Sequence, residues 1–234
     1  MGFARESDLV SVLLGATSGQ FLSKFDYFAE ELPVRSRWVD LTFAILRDNN
    51  QQASWEAEDF LKFQRAFRAL SMVELRYLSF LIGNRSVSVQ KMMDAFLLSS
   101  DELRKRFLDK FLDLGLIERC SRYSYRATNW AVLEPENIVA VEAKLSNWNE
   151  ALMQALDYRI FADYCYVALD GEHWKDEHRS IFEQNGIGVI SVFENEIKIR
   201  LEPQRLSLGE CAMETKFQRL RVVRDRFCPK LRGN

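Results

Sequence analysis

The sequence predicts an α/β fold with a mixed sheet, interrupted by a second, basic helical module, and three stretches carry that prediction. Residues 138–169, IVAVEAKLSNWNEALMQALDYRIFADYCYVAL, read as strand, helix, strand, the unit that builds a parallel sheet. Upstream, FDYFAEEL and RSRWVDLTFAIL read as two further strands joined by a turn around Pro33. Between them, residues 60–130 switch to helical periodicity and hold 13 Lys/Arg against 7 Asp/Glu, a local excess of basic charge in a chain of net charge −2.

In order along the chain, Leu9, Val10, Leu13 and Leu14 share one face of a helix over residues 6–15, with Glu6 in the first turn and Gly15 as its stop. If Asp40 on the RSRWVDLTFAIL strand faces Glu142 in an antiparallel pair, Ile45 faces Asn137, and pairing ends near Arg47 and Pro135. Composition changes at those two places, to Asp48-Asn49-Asn50-Gln51-Gln52 and to Glu134-Pro135-Glu136-Asn137. The hairpin is therefore read as opened at its tip to admit an insert, giving a discontinuous domain of residues 1–47 and 131–234 around a second domain of residues 60–130. Within the insert, Phe60, Phe63, Phe67 and Leu70 form one helical stripe, followed by helices at about 71–82, 88–97 and 99–114. Ser99 or Ser100 caps the last of these, Gly115 ends it, and LIERCSRYSYRAT alternates as a two-stranded ribbon. Beyond the YCYVAL strand come a helix over 172–184, a buried strand IGVISVF, an edge strand EIKIRLEP and a basic helix over 208–227 opened by a Ser207/Glu210 capping box.

The chemistry-bearing residues lie on the first of these stretches. Residues two apart on a strand share a face, so Glu142 and Lys144 point the same way at the C-terminal end of theirs, where such sheets bind ligands. Ser146 is the expected N-cap of the next helix, on which Gln154 and Tyr158, four apart, stack one turn above the other. Glu-x-Lys alone carries no information, because it recurs at Glu196 and Glu214, and such a pair on a strand is ordinarily solvent-facing. The copy at Glu142 is set apart by its apolar strand, the Gln-x-x-x-Tyr helix behind it and a strand aspartate in matching register.

That combination resembles the PD-(D/E)xK nuclease superfamily, specifically its QxxxY-bearing branch, over roughly residues 1–47 and 131–200. The resemblance implies a restriction-endonuclease-like mixed sheet flanked by helices. It also implies a site in which Asp40, Glu142 and the Ala143 carbonyl hold Mg2+ or Mn2+ and Lys144 positions the water or stabilises developing charge, with Gln154 and Tyr158 as buttresses or phosphate contacts. Glu6 matches the acid that relatives place on the first helix, although helix capping explains it equally well. Val39 stands where the motif's proline is expected, and no upstream histidine matches that of some exonuclease relatives. The insert resembles a winged helix, a helix-turn-helix variant, which implies DNA contacts from Arg104, Lys105 and Lys110 on its third helix and from Arg119, Arg122 and Arg126 on or near the wing. Winged helices also bind proteins, so a catalytically inactive DNA- or protein-binding adaptor is the rival to a metal-dependent DNA endonuclease. A homodimer, or partner subunits of a prokaryotic defence, repair or mobile-element system, fits either.

Other classes are excluded more simply. No apolar run reaches membrane-spanning length and the N-terminus lacks a signal peptide's pattern. Cys120, Cys165, Cys211 and Cys228 form no CxxC, which reads as free thiols in a reducing cytoplasm and argues against an iron–sulfur site. His173 and His178 are expected on a polar surface helix rather than on a metal, and no Gly-rich phosphate loop is present.

Overall fold

The computed structural model describes residues 2–17, 27–34, 37–46, 65–82, 84–128, 135–205 and 212–225. They divide into two compact units, with boundaries after Leu46, before Pro135 and after Ala212.

The first unit is built on a six-stranded mixed sheet in the order β1-β2-β6-β7-β8-β9. Its strands are β1 (Tyr27–Val34), β2 (Arg37–Leu46), β6 (Pro135–Lys144), β7 (Tyr164–Asp170), β8 (Gly188–Phe193) and β9 (Glu196–Leu201). β6, β7 and β8 run parallel, and antiparallel strands flank them on both sides. Parallel strands are covered on both faces, and β6 shows how its sequence meets that demand. Val139, Val141 and Ala143 face a core shared with Leu9 and Leu13 of helix α1 (Glu6–Thr17). Ile138, Ala140 and Glu142 alternate with them and are equally buried. Helix α5 (Trp148–Asp157) links β6 to β7 and buries Ala151, Leu152 and Ala155, with Tyr158 just past its end. The β2–β6 ladder has the expected register from Leu41–Val141 to Ile45–Asn137, then slips by one residue to end at Leu46 and Pro135, so that residues 135–137, expected as a turn, lie in β6.

Several local expectations are corrected. Pro33 is not a turn residue: it lies inside β1, paired with Trp38, and the chain reverses between Val34 and Arg37. β1 is an edge strand, the place in a sheet where proline is tolerated. Helix α1 runs through Gly15 to Thr17, since one glycine in a helix costs only about 1 kcal/mol. Asn147 rather than Ser146 caps α5, its side chain accepting the Glu150 amide. The helix expected over 172–184 shortens to a turn at Asp176–His178 followed by helix α6 (Arg179–Gln184).

The second unit contains α2 (Met72–Leu81), the short strand β3 (Val87–Ser88), α3 (Val89–Phe96), α4 (residues 100–113), and a hairpin of β4 (Ile117–Ser121) and β5 (Ser124–Ala127). β3 joins the hairpin in a sheet of order β3-β5-β4. Ser71, Ser88 and Ser99 cap the three helices in turn, the first and last as full capping boxes. A single π-helical turn, Arg104–Leu108, widens α4 in its middle. Gly115, at φ +67°, lets the chain leave that helix. Phe67, Leu75, Leu78, Phe107, Phe111 and Ile117 fill the core; the Phe60 and Phe63 part of the stripe lies outside the described residues.

Helix α7 (Ala212–Asp225) is the main departure in organisation. Apart from its first residue it belongs to this second unit, not to the domain of residues 131–234 expected from the sequence. Phe217 and Leu220 enter the same core as Phe111. Its basic residues are largely drawn inward rather than forming a solvent face. Lys216 Nζ donates to the Ile82 carbonyl at 2.9 Å, Arg224 Nη1 donates to the Leu70 carbonyl at 2.9 Å, and Arg219 is buried. The Ser207/Glu210 capping box lies outside the described residues.

Candidate active site

Asp40 and Glu142 are brought together by the antiparallel β2–β6 pair, one position beyond the last regular pair, Leu41 and Val141. There the ladder gives way to a side chain, because Asp40 Oδ2 accepts the Ala143 amide at 2.7 Å. Within a strand a residue's N–H and C=O lie along the same edge, so the Ala143 carbonyl is on the Asp40 side as well. Asp40 Oδ1 accepts no hydrogen bond among the described residues.

Glu142 is enclosed, its side chain 2% exposed. The Tyr158 hydroxyl donates to its Oε2 and also lies 3.0 Å from the Trp38 carbonyl oxygen. Lys144 Nζ stands 3.0 Å from Glu142 Oε1 and 3.4 Å from Glu6 Oε2, so α1 supplies a carboxylate to the same ammonium. The Gln154 carboxamide, oriented to suit its neighbours, donates to Glu142 Oε1 and accepts from Arg37 Nη1 at 3.2 Å; the opposite orientation would set oxygen against oxygen. Arg37 Nε is held in turn by Asp157 Oδ2 at 2.6 Å. Gln154 and Tyr158 thus buttress Glu142, and Tyr158 is too deeply buried to meet a phosphate.

Charge in this enclosure is costly. Burial pushes the Asp40 carboxyl above its usual range, helped by Glu6 and Glu31 and opposed by the Ala143 amide and Lys144. Burial, followed by the charge of Asp40, raises Glu142 to about 7, against the pull of Tyr158 and Lys144. Burial alone would lower Lys144, but the hydrogen bond and charge of Glu142, then Glu6 and Asp40, carry it above the usual lysine value. Lys144 is therefore an ammonium, a donor rather than a base. Burial, then the Glu142 charge and its hydrogen bond, keep the Tyr158 hydroxyl protonated.

These donors suit a hard cation in kind and number. Among the described residues no three His, Cys, Asp or Glu side chains gather as a ligand cluster. Two carboxylates and one carbonyl, completed by water, is the small share of a magnesium shell that proteins usually supply. His173 and His178 take no part: His178 stacks on Trp148 with ring centroids 4.2 Å apart, and His173 Nδ1 lies 3.9 Å from Asp170.

The six basic candidates in the second unit fare unevenly. Lys110 lies on α4, its Nζ paired with Glu74 Oε1 at 2.5 Å. Arg104 pairs with Asp109 at 3.3 Å, Arg126 with Glu118, and Arg119 donates to the Tyr125 hydroxyl at 3.0 Å. Arg122 lies over the Tyr123 ring, 5.2 Å from its centroid, and Lys105 is exposed with no acidic partner among the described residues.

Two neighbours of the candidate site went unread in the sequence. Arg37 orients Gln154, and its partner Asp157 lies 120 positions away, a separation no local pattern reveals. Glu31 interrupts the β1–β2 pairing opposite Asp40, with a φ of 48° in the region that favours glycine. Among the described residues no helix is long and apolar enough to cross a membrane. No family model, curated protein or solved structure matches the chain.

Proposed function

We propose that this chain is a metal-dependent DNA endonuclease of the PD-(D/E)xK type. One observation carries the reading: Asp40 and Glu142 stand on neighbouring strands one position beyond the Leu41–Val141 pair, with the Lys144 ammonium 3.0 Å from Glu142. Asp40, Glu142 and the Ala143 carbonyl would hold Mg2+ or Mn2+, and such a cation supplies an activated water and neutralises charge on the phosphoryl group. Lys144 donates to the water or to a non-bridging oxygen, where a preorganised cation favours the developing charge. Gln154 and Tyr158 hold Glu142 in place, and Glu6 fixes Lys144 from the other side.

The second unit is read as a winged helix. In support, helix, short strand, two helices and a hairpin follow in that order, with the short strand paired to the hairpin's second strand. DNA contact then falls chiefly on Lys105 and Arg122, the two of the six basic candidates without a hydrogen-bonded or acidic partner. The adaptor reading has its own support, because Lys144 and Tyr158 already occupy both oxygens of Glu142.

Purified protein incubated with plasmid and single-stranded DNA separates the two. Cutting with Mg2+ or Mn2+ that stops in EDTA and in Glu142→Ala and Lys144→Ala, with DNA binding retained, is the expected result. DNA binding without cutting under either metal would establish the adaptor.

A further inference from the structure

We propose that Trp38 is a stacking platform for an unpaired nucleobase, so that the site acts on single-stranded or locally opened DNA; this rests on the nuclease reading above. Trp38 is 61% exposed, whereas Trp148 and Trp174 are partly buried. It precedes Asp40 by two residues on β2, and strand alternation places both on one face, roughly 7 Å apart along the strand.

The backbone beneath this indole is held firmly. Its carbonyl oxygen lies 3.0 Å from the Tyr158 hydroxyl, the same hydroxyl that donates to Glu142, and its other strand neighbour is Pro33 of β1. The Tyr158 hydroxyl thus lies between the Glu142 carboxylate, to which it donates, and the Trp38 carbonyl. The neighbouring Arg37 is pinned to Asp157 at 2.6 Å. The result is a flat aromatic side chain open to solvent, on the strand that carries Asp40 and beside the strand that carries Glu142 and Lys144, where a backbone phosphate would approach.

A base inside a duplex has both faces covered by its neighbours and cannot reach such a ring. An unpaired base can, with its phosphate over Asp40 and Lys144. The platform thereby favours strands whose bases are free, and it does so without reading their identity, since every base has a face to stack.

The test measures binding in EDTA of labelled oligothymidylate and of a blunt duplex to wild-type protein, Trp38→Phe and Trp38→Ala. Oligothymidylate should quench wild-type tryptophan emission, and that quench should disappear in both variants. Trp38→Ala should bind the single strand about five- to a hundred-fold more weakly, with duplex affinity changed less than about two-fold, while Trp38→Phe stays within about three-fold of wild type. Equal weakening for both DNAs, unchanged single-strand affinity in Trp38→Ala, or no quench in the wild type would overturn the proposal. A parallel Mg2+ cleavage assay on plasmid and on single-stranded DNA keeps the two claims apart. Cutting by the wild type with no selective loss in Trp38→Ala removes the platform and leaves the nuclease, whereas a selective loss in a protein that cuts nothing removes the nuclease and leaves the platform.

Discussion

Glu-x-Lys occurs on β6 and again on β9 of the same sheet, and the two copies have opposite characters. On β9, at the sheet edge, Glu196 and Lys198 approach to 2.6 Å with side chains 54% and 47% exposed. On β6, in the sheet interior, Glu142 and Lys144 stand 3.0 Å apart at 2% and 15% exposure. The shorter pair is the less consequential, because water screens it and such pairs are worth about 0–1 kcal/mol. The buried pair has lost its water, shares its lysine with Glu6 and sits against Asp40, so its carboxyl titrates near neutrality. A third copy, Glu214 and Lys216, is on a helix and the two residues turn to separate partners, Arg76 and the Ile82 carbonyl. Burial and neighbours, not the tripeptide or its distance, distinguish the candidate site.

The contrast can be broken by mutation, and the largest effect expected is on cleavage. Glu142→Gln should lower Mg2+-dependent cutting roughly 10³-fold while Glu196→Gln leaves it within about two-fold, measured as initial rates on plasmid. Comparable losses in both would mean that β9 carries chemistry too.

Titration sharpens it next. A carboxyl raised from 4.5 to about 7 holds its proton more tightly in the folded state, so it costs no stability below about pH 4.5. Its cost grows as pH rises and is complete above about 7. Metal-free protein should therefore lose stability over that window, by at most about 3 kcal/mol from this group. Denaturant melts in EDTA at pH 5 and pH 8 should show the loss, and Glu142→Gln should flatten it. Tyr158→Phe removes the hydroxyl that serves Glu142 and the Trp38 carbonyl, and should cost about 1–3 kcal/mol in the same melts at pH 8. Lys198→Met, which breaks the exposed pair and the contact of the ammonium with the Phe193 ring 5.1 Å away, should change stability by less than about 1 kcal/mol.

The architecture that sets these copies apart was partly legible beforehand. The pairing of the Asp40 strand with the Glu142 strand came from the family resemblance, and the polar flanks 48–52 and 134–137 agreed with where such a ladder would stop, although residues 135–137 lie in β6 rather than in a turn. Helix starts near residues 71, 88 and 99 were readable from local pattern, with a serine cap named only for the last, at Ser99 or Ser100. Pro33 misled because proline marks a turn in most contexts and an edge position in this one. The Lys110–Glu74 pair and the Arg37–Gln154 contact were invisible because they join residues far apart in the chain. The fate of α7 was hidden for a related reason: an apolar stripe announces that a helix is buried, not which core receives it.

That placement of α7 has a consequence for biosynthesis. The second unit is begun by residues made early and completed by Phe217 and Leu220, which leave the ribosome after β9 has already emerged. Until then its nascent helices carry an apolar slot with nothing in it. Chains cut short before residue 212 should be recognised by chaperones and proteases through that slot, even when every strand of the sheet has been translated.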